Sequence, residues 1–373
     1  MKNIVFVSAT RADYGKLKKI ILTLQKKNNI KTNVFITGMH NLKVYGNTVN
    51  EIKKDKIKNI KIFSNQNVGD DHNTIFSKTV LGFSNYIKKI KPDLVLVHGD
   101  RIEPLACAIT CCLSNIKIAH FEGGEVSGTV DEMFRHSISK LCNIHFVTSS
   151  SAKKRLIQMG ELGKNIFVTG SPDVDLILSK KLPSIKKVKR KYEINFDQFS
   201  IAIFHPVTTD LKNLNTQIKN FIKSLEISDK NYILIYPNND LGSEIILKEY
   251  KKIQNKKIKI FPSIRFEYFL TILKNSEFII GNSSSGIMEA PYFGVPTINI
   301  GTRQNKRAKL KSIFNCDNNF EEILKSINKL PKKKFKKNLS FGHGKSAEKI
   351  LKIFEKNKIW ELNNQKLFND IKI

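Results

Sequence analysis

Four carboxylates lie in two short motifs that each follow an apolar run of the chain. Asp100 ends the sequence HGD, and Glu122, Glu125 and Asp131 lie within FEGGEVSGTVD. Crowded carboxylates repel one another, so some pKa values rise and one group donates a proton while another accepts one. The four residues together predict proton-transfer chemistry. The alternative for each residue alone is a role in capping its loop.

A serine-rich turn has the composition of an anion-binding site. The segment GNSSSG follows an apolar run and opens a predicted helix, where small residues let the backbone approach a phosphate and the helix dipole favours an anion. We expect four residues of this turn to bind phosphate: Ser283, Ser284, Ser285 and Gly286. Glu289, on the same helical face as Ser285, is expected to accept hydrogen bonds from a ribose diol. The alternatives are an N-cap with a tight turn and, for Glu289, a solvated helix charge.

Arginine is scarce in this lysine-rich chain, which makes its positions informative. Five arginines lie in motif segments: Arg11, Arg101, Arg135, Arg265 and Arg303. The planar guanidinium group grips a phosphate with two parallel hydrogen bonds, which lysine does not do. Arg11, in SATRADY after the first apolar run, is expected to face the ligand. Its alternative role is a surface ion pair with Asp13.

Two histidines lie in motifs and carry different expectations. His205 ends the apolar run FSIAIFHP, where it would meet a diphosphate or act as an acid, and its alternative role is that of a packed residue. His136 follows Glu132 by four residues, as Arg135 follows Asp131, and residues at this spacing pair on one helical face. We expect a structural role for His136.

Alternating strands and helices must position these motifs. Short apolar runs such as Lys2–Ser8 and Asp93–His98 alternate with amphipathic stretches, which indicates βαβ units and a parallel sheet. The pattern restarts after a linker near residues 177–191. We therefore predict an α/β fold of two Rossmann-like, doubly wound domains with a cleft between them, and such sheets bind ligands beyond the carboxyl ends of their strands.

The predicted boundaries follow this repetition. The N-terminal domain, residues 1–180, carries the catalytic acids, and the C-terminal domain, residues 181–345, binds the nucleotide. The helical tail, residues 346–373, is a candidate to pack back on the first domain. Among the secondary-structure predictions, Asp131–Leu141 and Gly286–Phe293 are helices and Ile144–Val147 is a strand.

Composition excludes several classes of function. The net charge is +31, but the excess is mostly lysine scattered along the chain, without the aromatic platform or groove of a nucleic-acid-binding surface. Five cysteines are present, three of them crowded in one apolar segment, and their spacing fits neither disulfides nor a zinc site. No apolar run approaches a membrane span, and the apolar N-terminus is predicted to be a strand, not a signal peptide. These features predict a cytoplasmic enzyme without a metal.

Ten motifs give the chain a specific resemblance. They are SATRADYGK, TGMH, HGDR, HFEGGEVSGTVDEMFRHSISK, GSPDVD, FHPVTTD, IYPNND, FPSIRFEYF, GNSSSGIMEAP and GVPTINIGTRQ. In these segments the chain resembles the hydrolysing UDP-N-acetylglucosamine 2-epimerases of sialic acid biosynthesis. The resemblance implies a fold like that of the GT-B glycosyltransferases, no cofactor, and a homodimer. It implies conversion of UDP-N-acetylglucosamine and water to N-acetylmannosamine and UDP.

The resemblance also assigns roles to residues. Three match catalytic acids of the family: Asp100, Glu122 and Asp131. Others match positions that bind nucleotide and phosphate: Arg11, Ala12, Arg101, His205, Ser284, Ser285, Glu289 and Arg303, with Asn238 or Asn239 nearby. His205 is also a candidate catalytic acid. Two departures are small, since Phe121 replaces the usual isoleucine and Glu132 replaces an aspartate.

The implied reaction needs one base, one acid and stabilisation of a departing diphosphate. Loss of UDP from C1 makes the ring oxocarbenium-like, so that a carboxylate can remove the C2 proton and form a 2-acetamidoglucal, to which water adds. Which acid serves which step stays open. Three alternatives also stay open: a GDP-linked diacetamido sugar as substrate, a GT-B glycosyltransferase, and a nucleotide-sugar sensor without catalysis.

Overall fold

The computed structural model describes residues 1–179, 181–304 and 306–371, and contains two compact units. The first unit comprises residues 1–125 and 131–178 and the segment from Ser340 onward. The second unit comprises residues 126–130 and 179–339. The predicted boundary at residue 180 falls on Lys180, which lies outside the described residues.

The first unit is built on a parallel sheet. Its strands are β1 Lys2–Ser8, β2 Ile30–Ile36, β3 Ile60–Ile62, β4 Leu94–His98, β5 Ile118–Phe121, β6 Ile144–Val147 and β7 Ile166–Val168. Within the described residues these seven strands have the order β3-β2-β1-β4-β5-β6-β7. The order reverses between β1 and β4, as in doubly wound sheets, so ligands are expected beyond the carboxyl ends of these strands.

Helices cover both faces of this sheet. They are α1 Arg11–Leu24, α2 Val49–Lys54, α3 His72–Ile90, α4 Ile102–Leu113, α5 Asp131–Leu141, α6 Ser150–Gln158 and α7 Val174–Ile177. Alternate residues of β1 enter two separate hydrophobic clusters, with Ile4 and Phe6 in one and Val5 and Val7 in the other. Both faces of the strand are therefore buried, which explains its nearly continuous apolar sequence.

The second unit repeats this architecture. Its strands are β8 Ser200–Ile203, β9 Tyr232–Ile235, β10 Ile258–Phe261, β11 Ile279–Gly281, β12 Thr297–Ile300 and β13 Ile313–Cys316. Its helices are α8 Ile185–Tyr192, α9 Leu214–Ile227, α10 Ser243–Tyr250, α11 Phe266–Asn275, α12 Ser285–Met288, α13 Ala290–Phe293 and α14 Phe320–Lys329. The strand order, β10-β9-β8-β11-β12-β13, reverses between β8 and β11. The predicted pair of doubly wound domains is confirmed.

Two local predictions are wrong. The linker near residues 177–191 contains a helix, α8, because Ser184 caps its first turn and Val188 is buried against the unit. The predicted helix Gly286–Phe293 is two short helices that meet at Glu289, where Pro291 removes a backbone donor.

The predicted helical tail, residues 346–373, lies in the first unit, but within the described residues its α-helix ends at Glu355. Helix α15, Ser346–Glu355, buries Ile350 and Phe354 in the same cluster as Leu17 of α1, and the rings of Phe354 and Phe146 lie 6.0 Å apart. Beyond this helix, the buried ammonium group of Lys117 donates to the backbone oxygen of Trp360 at 2.8 Å. Residues 346–360 thus contribute to the hydrophobic core of this unit. In the described part of the chain, none of the helices is both long enough and apolar enough to cross a membrane.

Candidate active site

The carboxyl ends of β1, β4 and β5 carry the candidate residues of the first unit. Arg11 begins α1 directly after β1, Asp100 and Arg101 follow β4, and Glu122 follows β5. These strands flank the reversal of strand order, so the fold itself brings the motifs to one edge of the sheet.

Glu122 occupies a closed polar environment at this edge. Its side chain is buried, and both carboxylate oxygens lie 2.9 Å from Nζ of Lys16, which projects from α1. The hydroxyl of Ser171 donates to Oε1 at 2.5 Å, and Nε2 of His98 lies 3.4 Å from Oε2. The backbone of Glu122 adopts φ +63°, a left-handed conformation that is costly for a residue with a side chain.

These neighbours determine the protonation state of Glu122. Burial alone would raise the pKa of this carboxyl, but the charge of Lys16, followed by His98 and Ser171, holds its pKa well below the usual value. The direction is opposite to the rise that crowding among carboxylates would produce. Glu122 is therefore ionised at neutral pH.

Asp100 is paired with Arg135, from helix α5. Nη2 of Arg135 donates to Oδ2 of Asp100, and Nη1 donates to the backbone oxygen of Glu125 at 3.1 Å. Burial alone would lower the pKa of Arg135, but the ion pair with Asp100 raises it. The guanidinium group thus links Asp100 to the loop that leads towards Asp131, the first residue of α5.

The remaining acidic and histidine motifs have structural contacts. The carboxylate of Glu125 is buried and accepts a hydrogen bond from the hydroxyl of Thr148. His136 and Glu132 form the predicted pair, with Nε2 3.6 Å from Oε1. These contacts agree with a loop role for Glu125 and a structural role for His136.

Arg11 stands at a rigid helix start. Thr10 caps α1 and forms a reciprocal capping box with Asp13, whose carboxylate also accepts the hydroxyl of Ser8 at 2.7 Å. Ser8 in turn contacts Nε2 of His40 at 2.9 Å. Asp13 therefore fixes the turn that carries Arg11 and the exposed Ala12.

Arg101 occupies the same place at the next strand. It is the N-cap residue of α4, and its Nε lies 3.6 Å from a carboxylate oxygen of Glu103. A guanidinium at each of these helix starts gives the edge of the sheet a positive character that suits an anionic ligand.

In the second unit, His205 follows β8 in a defined tautomer. Its Nδ1 accepts the backbone N–H of Asn238 at 3.1 Å, so the proton of the neutral ring lies on Nε2. The backbone of His205 exchanges two hydrogen bonds with the side chain of Asn282, at 2.7 and 2.8 Å. The ring is thereby held as a hydrogen-bond donor.

The serine turn after β11 is held tightly against β8. Gly281 adopts φ +127°, and a Cβ atom here would lie 1.8 Å from the backbone oxygen of Ile203, so glycine is required. The hydroxyl of Ser283 accepts the backbone N–H of Ser285 at 3.3 Å. Among the hydrogen bonds of the described residues, none uses the backbone N–H of Ser283 or Ser284. Both groups therefore remain as donors for an anion.

Arg303 lies beside the same turn. Its Nη1 donates to the backbone oxygen of Asn282 at 3.3 Å, and its Nη2 lies 3.9 Å from Asp240, which follows Asn238 and Asn239. The backbone N–H of Gly128, in the short segment that joins the second unit, donates to the oxygen of Arg303 at 3.1 Å. Glu289 is buried, and its backbone N–H donates to the oxygen of Ser285, which confirms their i, i+4 relation.

Four further residues touch the predicted ones and were not predicted as site residues: Lys16, His98, Arg135 and Ser171. Arg135, which was expected to pair with Asp131, contacts Asp100. Lys16 and Ser171 lie inside motifs, SATRADYGK and GSPDVD, yet a single lysine in a lysine-rich helix gives no local signal of burial.

The relationship to known proteins agrees with this geometry. A family model described as UDP-N-acetylglucosamine 2-epimerase matches residues 22–355. The chain belongs to this family. Its sequence is 42% identical over 377 residues to a UDP-N-acetylglucosamine 2-epimerase of Neisseria meningitidis serogroup B, with 100% of both chains covered. It is 35% identical to a Legionella pneumophila UDP-N,N'-diacetylbacillosamine 2-epimerase (hydrolyzing), covering 95% of this chain and 96% of the relative.

Solved structures of epimerases in this family have the same fold. The UDP-GlcNAc 2-epimerase of Methanocaldococcus jannaschii, in complex with UDP-GlcNAc and UDP, superposes with a TM-score of 0.78 at 25% identity, over 95% of this chain and 99% of that one. A Neisseria meningitidis UDP-GlcNAc 2-epimerase bound to UDP-GlcNAc gives a TM-score of 0.79 at 20% identity, over 95% and 99%. The GT-B-like fold, with two Rossmann-like domains, is confirmed.

Proposed function

We propose that this chain is a hydrolysing 2-epimerase that converts UDP-N-acetylglucosamine and water to N-acetylmannosamine and UDP, in sialic acid biosynthesis. The observation that carries the proposal is the full-length relationship to the 42% identical Neisseria epimerase. The chemistry of the site supports it, because the family reaction needs a base that is ionised at neutral pH and Glu122 has that form.

The first step is elimination. As the C1–O bond to UDP breaks, the C2–H bond acidifies, and the carboxylate of Glu122 takes the proton to leave a 2-acetamidoglucal. The departing diphosphate carries new negative charge, which needs prearranged donors. In the second unit the proposed donors are Nε2–H of His205, the backbone N–H groups of Ser283 and Ser284, and the guanidinium group of Arg303. In the first unit the proposed cationic residues are Arg11 and Arg101.

The second step is hydration. Water adds its oxygen to C1 and gives one proton to a carboxylate, while an acid delivers a proton to C2 on the face opposite to the one from which the first proton was removed. One bond to oxygen and one bond to hydrogen thus replace the double bond. Asp100 and Asp131 are the candidate acids, and the link between Arg135 and Asp100 gives this carboxylate a fixed orientation. Glu289, Asn238 and Asn239 are proposed to bind the nucleoside, and the three serines with Gly286 the diphosphate.

Isotope incorporation tests the reaction. Incubation with UDP-N-acetylglucosamine in deuterated water should release free N-acetylmannosamine with one deuterium at C2, without any added acceptor. The variant Glu122→Gln tests the base and should reduce turnover at least ~100-fold, the scale of a lost acid–base group. Product without deuterium at C2 would exclude elimination, and turnover only with a sugar acceptor would indicate a glycosyltransferase.

The names of two relatives indicate a second candidate substrate. Two of them, at 35% and 34% identity, are named as epimerases of nucleotide-linked N,N'-diacetylbacillosamine. The enzyme should therefore be offered UDP-N-acetylglucosamine and the UDP- and GDP-linked diacetamido sugars side by side. We expect the highest kcat/KM with UDP-N-acetylglucosamine. A higher kcat/KM with either diacetamido sugar would show that this sugar is the preferred substrate.

We also propose that the enzyme acts as a homodimer in the cytoplasm and needs no cofactor. Light scattering after size-exclusion chromatography should give twice the mass of one chain, 42.7 kDa. Turnover should be unchanged after dialysis against a chelator.

A further inference from the structure

The GSPDVD segment has no part in the steps above, although it directly touches the proposed base. Ser171 is fully buried, and its hydroxyl donates to Oε1 of Glu122 at 2.5 Å. Lys16 provides the countercharge at 2.9 Å, but an ammonium group on a flexible stem fixes a carboxylate only loosely. The serine hydroxyl gives the directional contact.

The C-terminal part of the chain holds this serine in place. The backbone N–H of Ser171 donates to the oxygen of Phe341 at 2.8 Å, and the hydroxyl of Ser346 donates to the backbone oxygens of Thr169 at 2.9 Å and Ser171 at 3.2 Å. Gly170 and Gly342 cross so closely that a Cβ atom on Gly342 would lie 3.0 Å from Cα of Gly170.

Asp175, from the same motif, completes the attachment. Its two carboxylate oxygens accept the backbone N–H groups of Ser346 at 2.7 Å and Ala347 at 3.0 Å, which caps the start of α15. The GSPDVD motif therefore contacts the C-terminal segment at Gly170 and again at Asp175. Ser171 lies between these two positions.

We infer that Ser171 is a positioning residue that aims the carboxylate of Glu122, and that residues 341–347 act in catalysis by fixing Ser171. The inference rests on the proposed function of Glu122 as base. Glu122 needs such support because its backbone conformation is strained, and a strained residue keeps one geometry only when its surroundings determine it. The contact also stabilises the charged form of the carboxylate over the protonated form.

The pH dependence of kcat/KM in Ser171→Ala tests this role. Loss of the hydrogen bond to the ionised base should raise the pKa of Glu122, so the acid limb should move to higher pH by about one unit. At the optimum we expect kcat to fall about tenfold with KM changed less than about twofold. Ser346→Ala, which keeps the hydroxyl of Ser171 but removes its support, should shift the limb in the same direction and by less.

A matched control separates positioning from loss of stability. Ser224, in the second unit, is also fully buried and donates to the backbone oxygen of Asn220 at 2.7 Å. Ser224→Ala should lower the melting temperature and leave the acid limb unchanged. The inference would be overturned if folded Ser171→Ala lost the same fraction of kcat at every pH and the acid limb of its pH profile did not move.

A second readout does not depend on turnover. Carbon-13 NMR of labelled glutamate carboxyls, with the Glu122 signal assigned through Glu122→Gln, should show a higher titration midpoint in Ser171→Ala and a smaller rise in Ser346→Ala. If the wild type turns over no nucleotide sugar, the proposed function fails while this titration still tests the contact. Unchanged midpoints in both variants would refute the role of Ser171.

Discussion

Nζ of Lys16 lies 2.9 Å from both carboxylate oxygens of Glu122, and both side chains are more than nine-tenths buried. A buried charge without its partner is very unfavourable, so each residue depends on the other. The pair joins the first helix of the chain to the end of the fifth strand. It therefore links stability of the unit to the chemistry of its base.

Lys16→Met should reduce both stability and activity. The uncompensated carboxylate should lower the free energy of unfolding by about 3 kcal/mol or more at pH 7, measured by urea titration. The pKa of Glu122 should rise in this variant, because burial remains and the countercharge is lost. As the pH falls, Glu122 then becomes protonated and the stability deficit should narrow.

The control for Lys16→Met lies two residues away on the same helix. Lys18 contacts Asp55 at 2.8 Å, but its side chain is 21% exposed. Asp55 keeps the hydrogen bond from the hydroxyl of Tyr14 at 2.8 Å, so Lys18→Met should lower the free energy of unfolding by less than Lys16→Met and leave kcat unchanged. Equal effects of the two substitutions would contradict the special role of the buried pair.

His205→Gln should act on catalysis and hardly on folding. The backbone contacts of His205 with Asn282 remain, but the ring donor at Nε2 is displaced. We expect kcat to fall about 100-fold and UDP to bind more weakly, measured by steady-state kinetics and calorimetry. His136→Gln, at the half-buried pair with Glu132, is the control and should keep normal kinetics.

A double-mutant cycle tests the pairing of Asp100 with Arg135. Asp100→Asn and Arg135→Met should each destabilise the protein, but their effects should not add, with a coupling energy of about 1–3 kcal/mol. Chemical denaturation of the four proteins gives this value. Simple additivity would show that Arg135 is held by other groups.

Buried histidines predict that stability falls in mild acid. Burial lowers the pKa of His40 to about 4 and that of His120 to about 3, against 6.5 for the ordinary side chain. Below pH 6.5 the unfolded chain binds protons that the folded chain does not. Each histidine therefore removes stability as the pH falls from 6.5 towards its folded pKa, with a slope that approaches about 1.4 kcal/mol per pH unit.

Between pH 6 and pH 4.5, His40→Gln should reduce the slope of the free energy of unfolding against pH by the contribution of one proton. Urea titrations at several pH values measure the difference. A slope equal to that of the wild type in His40→Gln would mean that His40 takes up its proton without unfolding.

The sequence predicts the long, periodic elements well. The strands Lys2–Ser8 and Ile144–Val147 and the helix Asp131–Leu141 match the structure at both ends, because their buried faces give a clear pattern. Strands β3 and β7 lie at the sheet edges, are three residues long and are partly exposed, so they are too short for a periodic pattern to mark them.

The site is predictable where a motif directly follows a strand. Asp100, Glu122 and His205 lie where strand ends meet loops, and the doubly wound fold makes these positions the ligand edge. The partners of these residues come from distant parts of the chain. Lys16 and Glu122 are 106 positions apart, and Arg135 finds Asp100 across 35 positions, so local spacing indicated neither pair.

Residues 341–347 are synthesised long after Glu122 and Ser171. A ribosome that has made the first 340 residues has thus produced the proposed base and the hydroxyl proposed to aim it, but not the segment that holds this hydroxyl still. A nascent chain should therefore acquire its full activity only after residue 347 has emerged. Termination before residue 341 would release a protein that has its candidate catalytic motifs but lacks this segment and the core residues of α15.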